Sequence, residues 1–187
     1  MKKKLLLATA FTMLAGCSTT NQQIIVAPQL MTNNQSIYQQ IPMQLSITDM
    51  RTKQHLVQVL HEGKAAQLFS PANDFSDAIV STLHRSWQQQ GIAFSAVSAN
   101  KIEVIIDSAL ISVQQSTLKY TTASELRLRV KITKGDQTQT TNFKSTGSSE
   151  GALKADVAVL ERDFNQQLGT LLNNILTNSD IQTFLRN

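Results

Sequence analysis

The sequence predicts an α+β domain in which two main helices pack on one face of an antiparallel sheet, giving two layers and a single core. Two observations predict it. Residues 126–132 (Leu-Arg-Leu-Arg-Val-Lys-Ile) alternate strictly between apolar and charged side chains, as a half-buried strand does. Two other segments instead repeat apolar residues every three or four positions, which is typical of amphipathic helices.

The strands are predicted as follows. Residues 43–48 alternate as a strand, and 56–60 with 65–69 form a hairpin around His61 to Lys64. In residues 102–113 the apolar positions change from even to odd, which predicts a β-bulge near Ser108. After 126–132, Gly135-Asp136 makes a turn, and residues 137–145 return antiparallel.

The first helix opens at Ser70-Pro71 and stops before Gly91, because proline suits an early helical position and glycine a helix end. Its apolar stripe is Phe75, Ile79, Leu83 and Trp87. The second runs from about Leu153 to Leu176, Asn178 breaks it, and residues 181–186 add a short final helix. Its stripe is Leu153, Val157, Leu160, Phe164, Leu168, Leu171 and Ile175.

The chain begins with the features of a secretory signal peptide. Three lysines follow Met1, an apolar stretch covers residues 5–14, and small residues come next. This stretch is shorter than the roughly 20 residues that a membrane-spanning helix needs. Leu14, Ala15 and Gly16 form a peptidase recognition site before Cys17, the only cysteine of the chain, and the four residues resemble a bacterial lipobox. We therefore expect residues 1–16 to be removed and Cys17 to be lipidated.

Residues 17–42 are expected to form the lipidated N-terminus and a tether, and residues 43–187 the globular domain. From Ser18 to Thr48 no residue is charged. As a coil of about 25 residues the tether would span about 25–30 Å. Residues 24–26 and 30–31 are too apolar for a plain linker, so part of it is expected to dock on the domain. Ser18, in place of the aspartate that retains lipoproteins at the inner membrane, favours the outer membrane.

The charge balance gives no support for nucleic-acid binding. The full chain carries 17 Lys and Arg against 13 Asp and Glu. Removal of Lys2, Lys3 and Lys4 with the signal peptide leaves 14 against 13. Nucleic-acid-binding domains are normally far more basic, and aromatic residues to stack on bases are scarce here.

No catalytic or metal site is predicted, and no cofactor. Residues 147–151 fit the pattern G-x-S-x-G with Ser149 as nucleophile, but His55, His61 and His84 all precede it, whereas that fold places its histidine after the serine. The histidines also lack the four-residue spacing of a helical metal site. Glu103 and Asp107 could pair as glycosidase carboxylates, but an exposed strand offers neither the burial nor the protonated acid that this requires.

The best binding candidate is a row of cations, Arg127, Arg129 and Lys131, which point the same way because strands repeat every two residues. Such a row, here called the basic row, would suit a periplasmic protein or an anionic envelope component. The alternative is an ordinary solvated face balanced by Glu103, Asp107 and Glu125. For Asp49 and Arg51, an ion pair or turn-fixing hydrogen bonds give a sufficient structural explanation.

Short segments along nearly the whole chain resemble the YajG-type lipoproteins of Gram-negative proteobacteria. They are residues 14–17 (Leu-Ala-Gly-Cys), 49–52 (Asp-Met-Arg-Thr), the helix end at Gly91, 120–123 (Tyr-Thr-Thr-Ala), 150–152 (Glu-Gly-Ala) and 181–185 (Ile-Gln-Thr-Phe-Leu). The resemblance implies an outer-membrane lipoprotein that faces the periplasm. It implies no activity, and the basic row is not carried over from it.

The leading hypothesis is accordingly a lipid-anchored, non-catalytic binding domain that serves the maintenance or assembly of the cell envelope. An envelope hydrolase acting on peptidoglycan or lipid and a structural subunit of an envelope complex are the alternatives. The oligomeric state stays open.

Overall fold

The computed structural model describes residues 22–30 and 35–187. Seven strands and three helices lie in these two ranges. In chain order they are β1 (Ile41–Asp49), β2 (Val57–His61), β3 (Gln67–Phe69), α1 (Phe75–Gln89), β4 (Ile92–Phe94), β5 (Lys101–Gln115), β6 (Lys119–Lys134), β7 (Gln137–Ala152), α2 (Val157–Thr177) and α3 (Ser179–Arg186).

The strands form one sheet built on β5. On one side of β5, the strands β6 and β7 follow as an antiparallel meander. On its other side, β1 and β2 lie one after the other along the same edge, and both run parallel to β5. At the outside, β4 pairs parallel with β1, and β3 pairs antiparallel with β2, which confirms the predicted hairpin.

The α+β class and the two main helices on one face are confirmed, but the sheet is mixed where the sequence predicted an antiparallel one. Parallel neighbours need a crossover connection of about a dozen residues or more, usually a helix. Helix α1 supplies it, since it lies between β1 and the strands β4 and β5 in the chain and packs on both β1 and β4.

The predicted bulge is confirmed in the middle of β5. The register against β6 shifts between Ile106 and Ser108, so Asp107 has no direct partner. The shift explains the change of apolar phase, because the buried side chains are Ile102, Val104 and Ile106 before it and Ala109, Ile111 and Val113 after it. At this level of the sheet, β1 has ended and β2 has not yet begun.

Helix α1 begins later than predicted. Asp74 is its N-cap and accepts a hydrogen bond from the Asp77 amide, whereas Ser70 and Pro71 precede the helix and pair with Ile24. The side chain of an N-cap residue accepts a hydrogen bond from a backbone amide that has no partner within the helix. The Asp74 carboxylate can do this, whereas the side chain of Pro71 has no acceptor atom. The helix end before Gly91 is confirmed, and Gly91 has φ +98 with the carbonyl oxygen of Tyr38 close behind it.

The last strand is longer than predicted and the long helix shorter. Strand β7 continues to Ala152, beyond the expected end at Ser145, because β6 pairs with it along its whole length. Helix α2 then starts at Val157, with Asp156 as N-cap, and not at Leu153. Asn178 ends α2 and caps α3, as the predicted break required.

The core lies between the sheet and the helix layer. Buried side chains of α1 and α2 meet the buried face of β5 and β6 in one continuous cluster. Phe75 of α1 and Phe164 of α2 touch with ring centroids 6.0 Å apart. The opposite face of the sheet is open.

Residues 22–30, here called the strap, lie on the helix layer. Ile24 and Val26 are buried in the core. The strap runs in the same direction as α2: the Ile25 amide donates to Glu161 Oε2 at 2.7 Å and the Ala27 amide to Asn165 Oδ1 at 2.8 Å. Farther along, Gln29 passes directly over Gly169. The expected docking is therefore observed for Ile24, Val26 and Leu30, whereas Ile25 is exposed and Met31 lies outside the described residues.

Candidate functional site

The open face of the sheet carries the basic row. Alternation along β6 buries Leu126, Leu128, Val130 and Ile132 against the helices and places Arg127, Arg129 and Lys131 on the open side. The neighbouring strands contribute Glu103 opposite Lys131 and Lys144 opposite Arg127. The three cations therefore lie in the middle of a face that also carries carboxylates.

Two of the three cations are paired. Arg129 donates to Asp107 through Nε and Nη2, each at 2.7 Å, in a two-pronged contact. Hydrogen bonds and charge from Asp107 raise the pKa of the Arg129 guanidinium above its usual value. Arg127 and Lys144 both contact Glu125, each at 3.2 Å. Within the described residues Lys131 is the member of the row without an ion pair, so this face is a mixed charge network and not a uniformly basic patch.

The bulge in β5 accounts for the Arg129–Asp107 contact. Because the extra residue at position 107 shifts the register, Arg129 lies opposite Ile105 and its guanidinium reaches Asp107 two residues farther along β5. Glu103 and Asp107 share the open face but have separate partners, since Glu103 accepts a bond from Thr48 Oγ1 at 3.5 Å. Neither carboxylate is buried, so this pair lacks the buried acid that glycoside hydrolysis requires.

Ser149 lies in the interior of β7 and not on a strand-to-helix turn. Its Oγ is 2.8 Å from Thr122 Oγ1 on the paired strand. The two residues line a cleft of about 470 Å³ between β6, β7 and α2, together with Ser124, Ser145, Gly147, Asp163, Gln166, Gln167 and other side chains, none of them a histidine. The hydrogen bonds that involve Ser149 and a side chain all go to Thr122, and none goes to a histidine or a carboxylate. This is the arrangement of a polar sheet surface.

None of the three histidines lines the cleft that contains Ser149, and each has different neighbours. His84 on α1 stacks on Phe94, with centroids 4.4 Å apart. His55 Nε2 is 3.4 Å from Gln58 Oε1, and His61 ends β2. Among residues 22–30 and 35–187 no three histidine, cysteine, aspartate or glutamate side chains come close enough to hold a metal ion.

Asp49 and Arg51 form a structural ion pair, as expected. Arg51 is 6% exposed and donates to Asp49 through Nε at 3.0 Å and Nη2 at 2.7 Å. Its Cζ lies 4.4 Å from the centroid of the Phe75 ring, a cation–π contact. Burial by itself would raise the pKa of Asp49, but the hydrogen bonds and the charge of Arg51 outweigh it and lower that pKa. The pair joins the end of β1 to the start of α1.

One exposed feature is not apparent from the sequence patterns: a pair of leucines lies at the end of the sheet where β6 begins. Leu118 is 76% exposed and Leu153 is 68% exposed. Leu153 was assigned to the apolar stripe of the second helix, which the structure corrects. A signal was available, since Leu118 stands alone in the polar run from Gln114 to Lys119, where no core position is expected.

Leu14, Ala15, Gly16 and Cys17, on which the predicted lipidation depends, lie outside the described residues. In the described part of the chain no helix combines the length and the apolar character needed to cross a membrane.

Comparison with known proteins agrees with this fold. A family model described as "Uncharacterized lipoprotein" matches residues 28–186. A solved structure of a Xanthomonas campestris protein, from the family DUF330, is 16% identical, covers 86% of this chain and 96% of its own, and superposes with a TM-score of 0.52. At this identity the likeness concerns the fold alone.

A second solved structure is a putative neuraminyllactose-binding hemagglutinin homolog from Helicobacter pylori. It is 8% identical, covers 84% of this chain and 93% of its own, and has a TM-score of 0.49. No curated protein matches the sequence. The match of the family model over most of the chain establishes that the chain belongs to this family of uncharacterized lipoproteins.

Proposed function

We propose that this lipoprotein is anchored to the outer membrane through lipidated Cys17, faces the periplasm, and binds an envelope partner through the open face of its sheet without catalysing a reaction. The partner chemistry that fits is a protein surface of mixed charge with at least one acidic group.

One observation carries the proposal: the charges of the open face are paired into a network of alternating sign. Arg129 is oriented by its two contacts with Asp107, and Arg127 and Lys144 by Glu125. Exposed ion pairs contribute little to stability, about 0–1 kcal/mol each. Charges arranged with alternating sign do, however, select a complementary partner and orient it. Lys131 is available for an acidic group of that partner.

The alternative of an envelope hydrolase has less support. It would use Ser149, or Glu103 with Asp107. A nucleophilic serine needs a base within hydrogen-bonding reach, and the Ser149 hydroxyl is bonded to Thr122. Asp107 is occupied by Arg129.

The test of the binding face is photocrosslinking in living cells. A photoreactive residue in place of Asn142, which is exposed on the open face opposite Arg129, should give one discrete adduct with an envelope protein. The matched control is the same residue at Arg85, which is exposed on α1 in the helix layer. Lys131→Glu should abolish the adduct, and Arg85→Glu should leave it unchanged.

Equal adducts from both positions, or none from Asn142, would contradict the binding face. An adduct with the mass of two chains would identify the partner as a second copy. The anchor is tested separately by mass spectrometry of the mature N-terminal peptide, where we expect acyl groups on Cys17 and none after Cys17→Ser.

A further inference from the structure

Two exposed leucines lie side by side at one end of the sheet. The Leu153 amide donates to the Leu118 carbonyl oxygen at 2.8 Å, so the two side chains start from neighbouring points of the main chain. Single exposed leucines are common on protein surfaces. An adjacent pair, both more than two-thirds exposed, is a local apolar patch that points to a contact with something else.

Leu153 is held in a conformation that leucine seldom adopts. Its φ is +63, in the left-handed region, where the Cβ of a non-glycine residue crowds the following carbonyl oxygen. The side chain of Gln115 stabilises this backbone, since Nε2 donates to the Leu153 carbonyl oxygen at 2.7 Å and Oε1 accepts from the Ala155 amide at 3.0 Å. Strain of this kind is typical of positions that serve a contact and not the core.

Lysines surround the pair. Lys64 of the β2–β3 turn and Lys154 line one groove with Leu153, and Lys119 follows Leu118 directly. The ammonium groups of these three exposed lysines make no ion pair with the described residues. Three carboxylates lie near them. Glu62 lines the same groove, the Asp156 side chain caps α2, and Glu150 lies two residues before Ala152, the partner of Lys119, on the same side of β7. We call Leu118, Leu153, Lys64, Lys119 and Lys154 the tip.

The strap enters the domain at this end. Ile25 contacts Glu161 in the second turn of α2, and later strap residues contact later turns. Residues before Ile25 therefore lie toward the start of α2, which Leu153 precedes by only four positions. Gln22 is five residues after Cys17, and five residues span at most about 18 Å. If Cys17 is acylated, the docked strap therefore keeps the bilayer within about this distance of Gln22.

We propose that the tip contacts the bilayer that holds the acyl chains. Leu118 and Leu153 insert among the lipid headgroups, and Lys64, Lys119 and Lys154 face the phosphates of anionic phospholipids. Leucine side chains with flanking lysines are the composition of interfacial membrane contacts. The domain is then held in one orientation, tip toward the membrane. This inference goes beyond the proposed partner binding, and it rests on the proposed lipidation only for the short distance to the bilayer.

The test uses the full mature lipoprotein reconstituted in vesicles of phosphatidylethanolamine and phosphatidylglycerol. Cys17 is the only cysteine, so after acylation a new cysteine is the only free thiol. Leu153→Cys, labelled with an environment-sensitive fluorophore, is compared with Val97→Cys. Val97 is 93% exposed and lies just before β5 begins, at the opposite end of that strand from Gln115. Leu118→Cys serves as a second tip position, and the emission of buried Trp87 verifies folding.

We expect lipids that carry a quencher to quench the tip probes at least about threefold more strongly than the Val97 probe. The combined variant Lys64→Glu, Lys119→Glu and Lys154→Glu should abolish this difference, whereas Arg85→Glu should preserve it. Equal quenching at both ends, with the acyl mass on Cys17 present, would overturn the tip contact alone. Absence of the acyl mass would overturn the anchor and, with it, the short distance on which the tip contact rests.

Discussion

Substitution of Arg51 tests whether its ion pair with Asp49 and its contact with Phe75 of α1 hold the two layers together. Arg51→Ala removes the three charge-assisted hydrogen bonds that Nε and Nη2 donate to Asp49, together with the contact with Phe75. The Asp49 carboxylate is then left without an ion pair and keeps only the bond from the backbone amide of residue 51. Breaking a fully buried pair costs about 3–5 kcal/mol. The Asp49 side chain is 21% exposed and keeps some water contact, so we expect a loss of about 2–4 kcal/mol in the free energy of unfolding.

Two further variants separate the contributions. Arg51→Lys keeps the charge but loses the two-pronged geometry and the flat contact with Phe75, so a smaller loss of about 1–2 kcal/mol is expected. Arg85→Ala removes an exposed arginine on α1 and should change stability by less than about 0.5 kcal/mol. The assay is urea unfolding followed by emission of Trp87, which is the only tryptophan and is fully buried.

The pH dependence of the free energy of unfolding tests the sign of the interaction between Asp49 and Arg51. Since Arg51 lowers the pKa of Asp49 below its ordinary value of 3.8, the unfolded chain binds the proton more readily than the folded one. The contribution to stability is therefore complete above the unfolded pKa and is lost as the pH falls through the lower folded pKa. The loss caused by Arg51→Ala should be full at pH 7 and shrink below about pH 4. A loss below about 0.5 kcal/mol at pH 7, or one unchanged in acid, would refute the reasoning.

Three further substitutions test backbone contacts by the same unfolding assay. Gly91→Ala should destabilise the protein by at least about 2 kcal/mol, because a Cβ would lie 2.2 Å from the Tyr38 carbonyl oxygen at a residue with φ +98; an unchanged midpoint would contradict the close approach. In an exposed helix, replacing glycine by alanine stabilises by about 1 kcal/mol. At Gly169, however, a Cβ would lie 2.4 Å from the Gln29 carbonyl oxygen, so Gly169→Ala is expected to destabilise the protein. A stabilised variant would mean that the strap does not pack there. Asp156→Ala removes the N-cap of α2 and should cost about 1 kcal/mol, and Asp156→Asn, which can still accept the bond, is the control that should stay within a few tenths of the parent.

Part of the candidate site could be predicted because it depends on strand alternation alone. The basic row is visible in the sequence, since every second residue of a strand points to the same side. Its electrostatic character could not be predicted in the same way. The pairing of Arg129 with Asp107 depends on the register of β6 against β5 and on the bulge at residue 107, and both are relations between segments more than twenty residues apart.

By itself, the sequence determined the local elements: two amphipathic helices, the phase change in β5, the β2–β3 hairpin and the alternation of β6. These follow from periodicities of burial within one segment, which neighbouring residues are sufficient to specify. The tertiary structure alone decided that β1 and β2 run parallel to β5, that β7 continues through Ser149, and that Leu118 and Leu153 share one exposed tip. The physical reason is that strand direction, register and docking depend on contacts between distant segments. These contacts form, and stabilise the protein, only when the whole core is assembled.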